Sequence, residues 1–121
     1  MGKFVIRCTS AGCKFDLKAG NGETIASSEV YESLAACRKG AESVKKCAVA
    51  GKIADLTADT PLPSNPRVEL YMDKADQFRF RLRSRNGAII AVSESYQTKA
   101  MCLTGIQSVL QNAPDAEIEE N

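Results

Sequence analysis

The chain has 121 residues, of which 44% are hydrophobic, 26% charged and 6% aromatic. These proportions exclude a collagen, a coiled coil and a largely disordered chain. No apolar run reaches the ~20 residues of a membrane span, and the first residues lack the apolar stretch of a signal peptide. We therefore expect one compact unit that is cytoplasmic and has no membrane partner.

Charge and cysteine content set broad limits on partners and location. Sixteen basic and fifteen acidic residues leave a net charge of +1, which gives no general attraction to nucleic acid. The charge is uneven, however, since residues 67–113 hold seven basic and four acidic side chains, a net +3. Five cysteines without a C-x-x-C pair fit a reducing compartment better than a disulfide framework.

The sequence contains an internal duplication. A shift of 65 positions aligns residues 15–48 with 80–113, where 15 of 34 positions are identical, and upstream the match continues at a shift of 64. We call residues 1–57 the first copy and 67–121 the second copy, with an extended proline-containing linker over 58–66. Two copies are too few for a solenoid, so a closed pair related by a pseudo-two-fold axis is expected.

Each copy begins with the alternation of half-buried antiparallel strands. Cys8 and Cys13 take the positions of Met72 and Phe78, so we expect them in the core, with a disulfide across the hairpin as the alternative. An Asn-Gly turn then predicts a third strand. Its register depends on whether the turn holds two residues, or three residues with a β-bulge. The alternating residues are Phe4-Ile6-Cys8 and Cys13-Phe15-Leu17, then Val68-Leu70-Met72 and Phe78-Phe80-Leu82.

A helix follows the third strand in each copy. Ser33 and Thr98 are suitable N-caps, and apolar residues then recur at helical spacing. Of the helix thiols, we expect Cys47 to be the most exposed. Gly40 and Gly105 each cost about 1 kcal/mol relative to alanine inside a helix, which indicates a close approach of helix to sheet. Residues 52–57 and 116–120 each predict a short edge strand.

Residues 78–114 resemble the YegP-like family, small bacterial and archaeal proteins of unknown function. The motifs that carry the resemblance are Phe-x-Phe-x-Leu, Asn-Gly-x-x-Ile, Ser-Glu-x-Tyr-x-Thr-Lys and Gly-Ile-x-Ser-Val. The expected fold is α+β, with two tandem β-β-β-α-β repeats in one pseudo-two-fold domain and helices on one face of an antiparallel sheet. The resemblance further implies exchanged C-terminal strands and supplies no catalytic residues. The first copy departs from the pattern, with Leu34 in the place of Lys99.

Catalytic chemistry has few candidate residues in this chain. It contains no histidine, the commonest general base and metal ligand. Its cysteines lack the clustered spacing of a zinc site, and no phosphate-binding glycine loop is present. We therefore expect a monomeric, non-enzymatic binding module without catalytic residues, cofactor or metal.

The candidate binding surface is a run of alternating arginines. Strand periodicity places Arg79, Arg81, Arg83 and Arg85 on the face opposite the apolar residues. If Met72 pairs with Phe78, Tyr71 lies beside Arg79, Glu69 beside Arg81 and Arg67 beside Arg83. Arginines around an aromatic ring suit weak binding of RNA or single-stranded DNA, and Lys99 at a helix N-terminus suits an anion.

Two other interpretations of this surface stay open. Sheets with one solvated face ordinarily carry charge there, which is the simpler interpretation of the arginines. Alternatively, the open sheet face or the edge strands engage another protein by β-augmentation, which would make the protein an adaptor. Nucleic acid and protein are thus the two expected classes of partner.

Overall fold

Two β-β-β-α-β units build the structure, a computed structural model that describes residues 2–120. The first copy contributes three strands, helix α1 (Leu34–Ala50) and a fourth strand, and the second copy does the same with helix α2 (Lys99–Asn112). The strands are β1 (Lys3–Thr9), β2 (Gly12–Lys18), β3 (Thr24–Ser27), β4 (Ile53–Asp55), β5 (Arg67–Met72), β6 (Phe78–Arg83), β7 (Ile89–Ser93) and β8 (Glu117–Glu120).

All eight strands form one sheet in the order β4-β5-β6-β7-β3-β2-β1-β8. The antiparallel pairing of β3 with β7 joins the two copies, and each edge strand pairs with the first strand of the other copy. The predicted edge strands and their exchange are therefore confirmed. The sheet is mixed rather than antiparallel, because a helical crossover delivers each edge strand in the same direction as its new neighbour.

Both helices pack against one face of the sheet and share a single core with it. Most of the helix side chains predicted to face inward, among them Cys37, Val44 and Ile106, are fully buried, but Leu103 of the predicted apolar face is 36% exposed. Ser33 and Thr98 cap the helices as expected, each accepting a backbone N–H at 3.1 Å. Within the described residues, neither helix is long and apolar enough to cross a membrane.

The cysteine predictions need two corrections. Cys8 is exposed at the tip of the β1–β2 hairpin and forms a disulfide with buried Cys13. The predicted core position is therefore wrong for Cys8, and the alternative prediction of a disulfide is the one that the structure shows. Its counterpart Met72 is exposed as well, at 47% of its surface, because this end of each hairpin extends past the core. Cys47 is fully buried rather than exposed, since it follows Val44 by three residues and shares its helix face.

The pairing of the third strand with the second strand contains a β-bulge in each copy, and this settles the register that the sequence left open. The ladder shifts between Leu17 and Lys18 in the first copy and between Leu82 and Arg83 in the second. As a result, Ile25 and the adjacent Ala26 are both buried.

The mid-helix glycines make room for a tyrosine as well as for the sheet. The Tyr31 ring stacks on Phe15 with 6.3 Å between centroids, and a Cβ on Gly40 would overlap its hydroxyl and lie 3.1 Å from Phe15. Gly105 has the same relationship to Tyr96 and Phe80 in the second copy. The tyrosines are therefore packing residues between helix and strand.

Other residues shared by the copies also have structural roles. The Ser28 and Ser93 hydroxyls each accept the backbone N–H of the stacked phenylalanine at 2.9 Å. Gly22 and Gly87 of the Asn-Gly turns adopt φ values of 86° and 88°, which favour glycine. Because these shared residues have structural roles, positions at which the copies differ are the stronger functional candidates.

Candidate functional site: the open face of the sheet

The sheet face opposite the helices, here called the open face, carries alternate residues of every long strand. One row crosses seven strands through directly paired residues, which places both copies on a continuous surface. The row is Glu119, Val5, Asp16, Ser27, Val92, Arg81 and Glu69.

The predicted register of the second hairpin is confirmed. Tyr71 lies opposite Arg79, Glu69 opposite Arg81 and Arg67 opposite Arg83. The Arg81 guanidinium stacks over the Tyr71 ring at 4.3 Å from its centroid, a cation–π contact that covers this face of the ring.

The six predicted site residues do not form one surface. Tyr71, Arg79, Arg81 and Arg83 share the open face, but β6 ends at Arg83 and Arg85 lies in the following turn. Lys99 is the first residue of α2, on the helix side of the sheet. The structure therefore separates the predicted set into three places.

Glu69 is a buried carboxylate among three arginines. Its side chain is 1% exposed and accepts bonds from Arg67 Nη2 at 2.6 Å and Arg81 Nε at 2.7 Å, with Arg83 Nε at 2.8 Å. Burial raises the pKa of Glu69, but hydrogen bonds from the arginines outweigh it and lower the pKa to about 2. The carboxylate therefore stays ionised and balances part of the arginine charge.

Two further predicted cations also have internal partners. Arg79 Nε donates to Asp73 at 2.8 Å, and backbone hydrogen bonding from Gln77, together with Arg79, lowers the pKa of Asp73. Lys99 pairs with Asp55 of the exchanged strand β4. Burial raises the pKa of Asp55, but the bonds from Lys99 and Thr57 lower it overall. Of the predicted cations, Arg85 alone lacks a carboxylate partner within residues 2–120.

The first copy presents a different charge pattern on the same face. Val5 occupies the position of Glu69, so no buried carboxylate lies between its cations. Arg7 and Lys14 are direct cross-strand neighbours, both exposed, and neither forms an ion pair within the described residues. Asp16 instead accepts a hydrogen bond from Ser27 at 2.5 Å.

A second like-charge pair extends this region. Lys3 lies opposite Lys18 on the same two strands. Lys3 contacts Glu119 at 3.0 Å, and Lys18 donates to the Thr24 hydroxyl at 3.2 Å. The first-copy cations are thus less fully balanced than the arginines of the second copy.

Arg7 is a functional candidate that the sequence analysis did not identify. Alternation alone does not identify it, because its importance depends on what lies opposite and on either side. A signal was nevertheless present: in the aligned copies Arg7 takes the place of Tyr71, and Thr9 takes the place of Asp73, the partner of Arg79.

The chemistry available elsewhere is limited. Within residues 2–120, no group of three or more cysteine and carboxylate side chains is placed to hold a metal ion. Burial raises the pKa of the Cys47 and Cys102 thiols to about 11, which makes both poor nucleophiles.

Comparison with known proteins places this fold in a family. Residues 11–55 and 73–120 match the model of a domain of unknown function, DUF1508. The UPF0339 protein in the ptx operon 5' region of Stutzerimonas stutzeri is 38% identical over 120 residues, 98% of this chain and 96% of that protein.

Two other relatives extend the comparison. A UPF0339 protein of Treponema denticola is 56% identical over 54 residues, 45% of this chain but 93% of that protein, which is thus about one copy long. The solution NMR structure of YegP from E. coli, a protein of unknown function, has a TM-score of 0.81 and 32% identity, covering 99% of this chain and 92% of that one. The chain therefore belongs to the YegP-like family of DUF1508 proteins.

Proposed function

We propose that this protein is a non-enzymatic binding module whose open face holds single-stranded RNA or DNA, with Arg7 and Lys14 as the leading phosphate contacts. The observation that carries the proposal is the direct cross-strand pairing of these two exposed cations without a carboxylate partner among residues 2–120. A backbone of phosphates supplies the missing negative charge.

The comparison between the copies strengthens this argument. Like charges directly opposite on adjacent strands destabilise a sheet. In the second copy, the positions equivalent to Arg7 and Lys14 hold Tyr71 and Arg79, and Asp73 balances Arg79. The fold therefore accommodates a neutralising carboxylate beside this pair, and Thr9 in the place of Asp73 leaves the first copy with charge available to a ligand.

The surrounding surface suits an extended anion. Lys3 and Lys18 continue the positive region along β1 and β2. Beside Arg7 and Lys14 lies a groove of about 270 Å³, which Thr9, the exposed Val30 and a single carboxylate, Asp16, also line. The second-copy arginines then contribute a weaker positive field across the same sheet.

The non-enzymatic part of the proposal rests on the residues available for chemistry. The chain has no histidine, and burial holds the thiols of Cys37, Cys47 and Cys102 in their protonated form by raising each pKa. The carboxylates with shifted pKa values, Glu69, Asp55 and Asp73, are each engaged in an ion pair.

Fluorescence anisotropy with short labelled RNA and DNA strands tests this function. The variant carries Arg7→Gln and Lys14→Gln, and the charge-matched control carries Lys39→Gln and Lys45→Gln, both on α1 and so on the other side of the sheet. We expect the Arg7/Lys14 variant to bind at least about tenfold more weakly. The slope of log affinity against log salt should fall by about 1.4, the value for two lost phosphate contacts on a single strand.

Equal binding by the Arg7/Lys14 variant and the control would contradict the assignment of these residues. An absence of binding even at low salt would overturn the nucleic-acid function itself. In that case the adaptor alternative becomes the function to test, by pull-down on the wild-type protein.

A further inference from the structure

An open groove of about 780 Å³ lies between α1 of the first copy and the Asn-Gly turn of the second. We call it the linker groove, because the last linker residues form part of its wall. Its volume is within the ~300–1,000 Å³ of small-molecule sites. None of its lining residues belongs to the open face. The polar lining residues are Ser43, Lys46, Asn65, Ser84, Arg85 and Asn86.

The charge in the linker groove is entirely positive. Lys46 and Arg85 are its charged lining residues, and neither forms an ion pair within residues 2–120. Lys46 follows Ser43 by three positions, so both side chains lie on the same side of α1. An ammonium, a guanidinium and nearby hydroxyls are the groups that bind a phosphate.

A second polar feature of the groove calls for a hydrogen-bond donor. The side-chain oxygen of Asn65 is buried and has no hydrogen-bond partner among the described residues. A buried acceptor without a partner is unfavourable, because its bond to water has been lost and not replaced. The oxygen is closed to solvent, so a hydroxyl or amino group on a ligand reaches it once the Asn65 side chain turns towards the groove, while Lys46 and Arg85 bind the anionic part of the same ligand.

The pseudo-symmetry of the fold supplies an internal comparison. A twin groove of about 360 Å³ lies between α2 and the Asn-Gly turn of the first copy, with Ala19, Asn21 and Ser108 in the places of Ser84, Asn86 and Ser43. There Gly20 and Gln111 replace Arg85 and Lys46, and the charged lining residue is Glu23. The fold thus forms this groove without cations, so the two cations of the linker groove are not a structural requirement.

We propose that the linker groove binds a small phosphate ester that carries a free hydroxyl or amino group. Lys46 and Arg85 contact its phosphate, and the Asn65 side-chain oxygen accepts a hydrogen bond from the hydroxyl or amino group. This site is separate from the nucleic-acid surface proposed above, and neither requires the other.

An NMR titration of the ¹⁵N-labelled protein tests the proposal with ribose 5-phosphate, inorganic phosphate and ribose as probes. We expect ribose 5-phosphate to shift the amides of Ser43, Lys46, Asn65 and Ser84–Asn86 with a millimolar dissociation constant, phosphate to shift them more weakly, and ribose to leave them unchanged. No shifts up to about 10 mM ribose 5-phosphate, or equal shifts in the twin groove at Ala19–Glu23, would overturn it.

Matched variants separate the two parts of the site. Replacing both cations by Lys46→Gln and Arg85→Gln should weaken ribose 5-phosphate binding about tenfold, whereas Lys39→Gln on the same helix should not change it. Asn65→Ala should weaken ribose 5-phosphate but not inorganic phosphate. Unchanged binding by the double variant refutes the phosphate contacts, and equal weakening of both probes by Asn65→Ala refutes the role of its oxygen.

Discussion

Glu69 and Val5 occupy the same position in the two copies, so a buried carboxylate lies among the cations of the second hairpin but not among those of the first. Glu69 is 1% exposed among three arginines, whereas the first copy has the neutral Val5 there and its Arg7 and Lys14 form no ion pair within the described residues. The second hairpin therefore balances most of its charge internally, and the first does so less completely.

Replacing Glu69 by glutamine should destabilise the protein by about 2 kcal/mol at neutral pH, because it removes the shared anion and leaves three guanidinium groups close together. Urea unfolding measures the difference, with Glu117→Gln, an exposed residue of the sheet edge, as a control within about 0.5 kcal/mol of wild type. A Glu69→Gln effect no larger than the control would refute the stabilising role of the cluster.

The stability of the wild-type protein should also fall with acid in a defined range. The pKa of Glu69 is lowered from 4.5 to about 2 in the folded state, so its contribution is complete above pH 4.5 and is lost as the pH falls towards 2. The Glu69→Gln variant lacks this contribution. The difference between the free energies of unfolding of wild type and variant, measured in urea, should therefore become smaller as the pH falls from 4.5 towards 2. A constant difference would contradict the lowered pKa.

Gly40→Ala should destabilise the protein by about 2 kcal/mol, although alanine favours a helix by about 1 kcal/mol. The added Cβ would overlap the Tyr31 hydroxyl, so the double variant with Tyr31→Phe should recover part of the loss. Gly105→Ala should behave in the same way against Tyr96. Thermal and urea unfolding check the series, and additive effects of Gly40→Ala and Tyr31→Phe would exclude the contact.

Lys99→Gln should raise the pKa of Asp55 towards its ordinary value of 3.8, because the lysine ammonium stabilises the ionised carboxylate. An NMR titration of the Asp55 carboxyl carbon measures the change. Lys39→Gln, on the other helix, should leave this pKa unaltered. If the pKa of Asp55 is the same in the Lys99 and Lys39 variants, the ion pair with Lys99 is not what lowers it.

Alkylation followed by mass spectrometry should find three free thiols in protein purified without reductant and then denatured, with Cys8 and Cys13 protected by their bond. The native protein should react little, because Cys37, Cys47 and Cys102 are buried. Removing the bond by the double change Cys8→Ser and Cys13→Ser should cost about 2 kcal/mol for so short a loop. Five labelled thiols in the denatured protein would exclude the disulfide.

Much of the fold follows from short-range patterns. Alternation fixed the faces of β5 and β6, so the pairing of Glu69 with Arg81 was predictable from the sequence. Ser33 and Thr98 identified the helix starts for a local reason, namely the hydrogen bond from each side chain to the first turn.

The remaining features depend on contacts between distant segments. The parallel pairing of β4 and β8 involves strands of three and four residues, too short for a periodic signal of their direction. The exposure of Cys8 reflects where the core ends, and the linker groove exists only because α1 of one copy faces a turn of the other.

The most direct test of the proposed function is an NMR map of the protein with a short single-stranded RNA, which locates the contact surface on the sheet. The proposal predicts the largest amide shifts in β1 and β2 around Arg7 and Lys14. Shifts confined to Tyr71 and the arginines of β6, or no shifts on the open face, would contradict it.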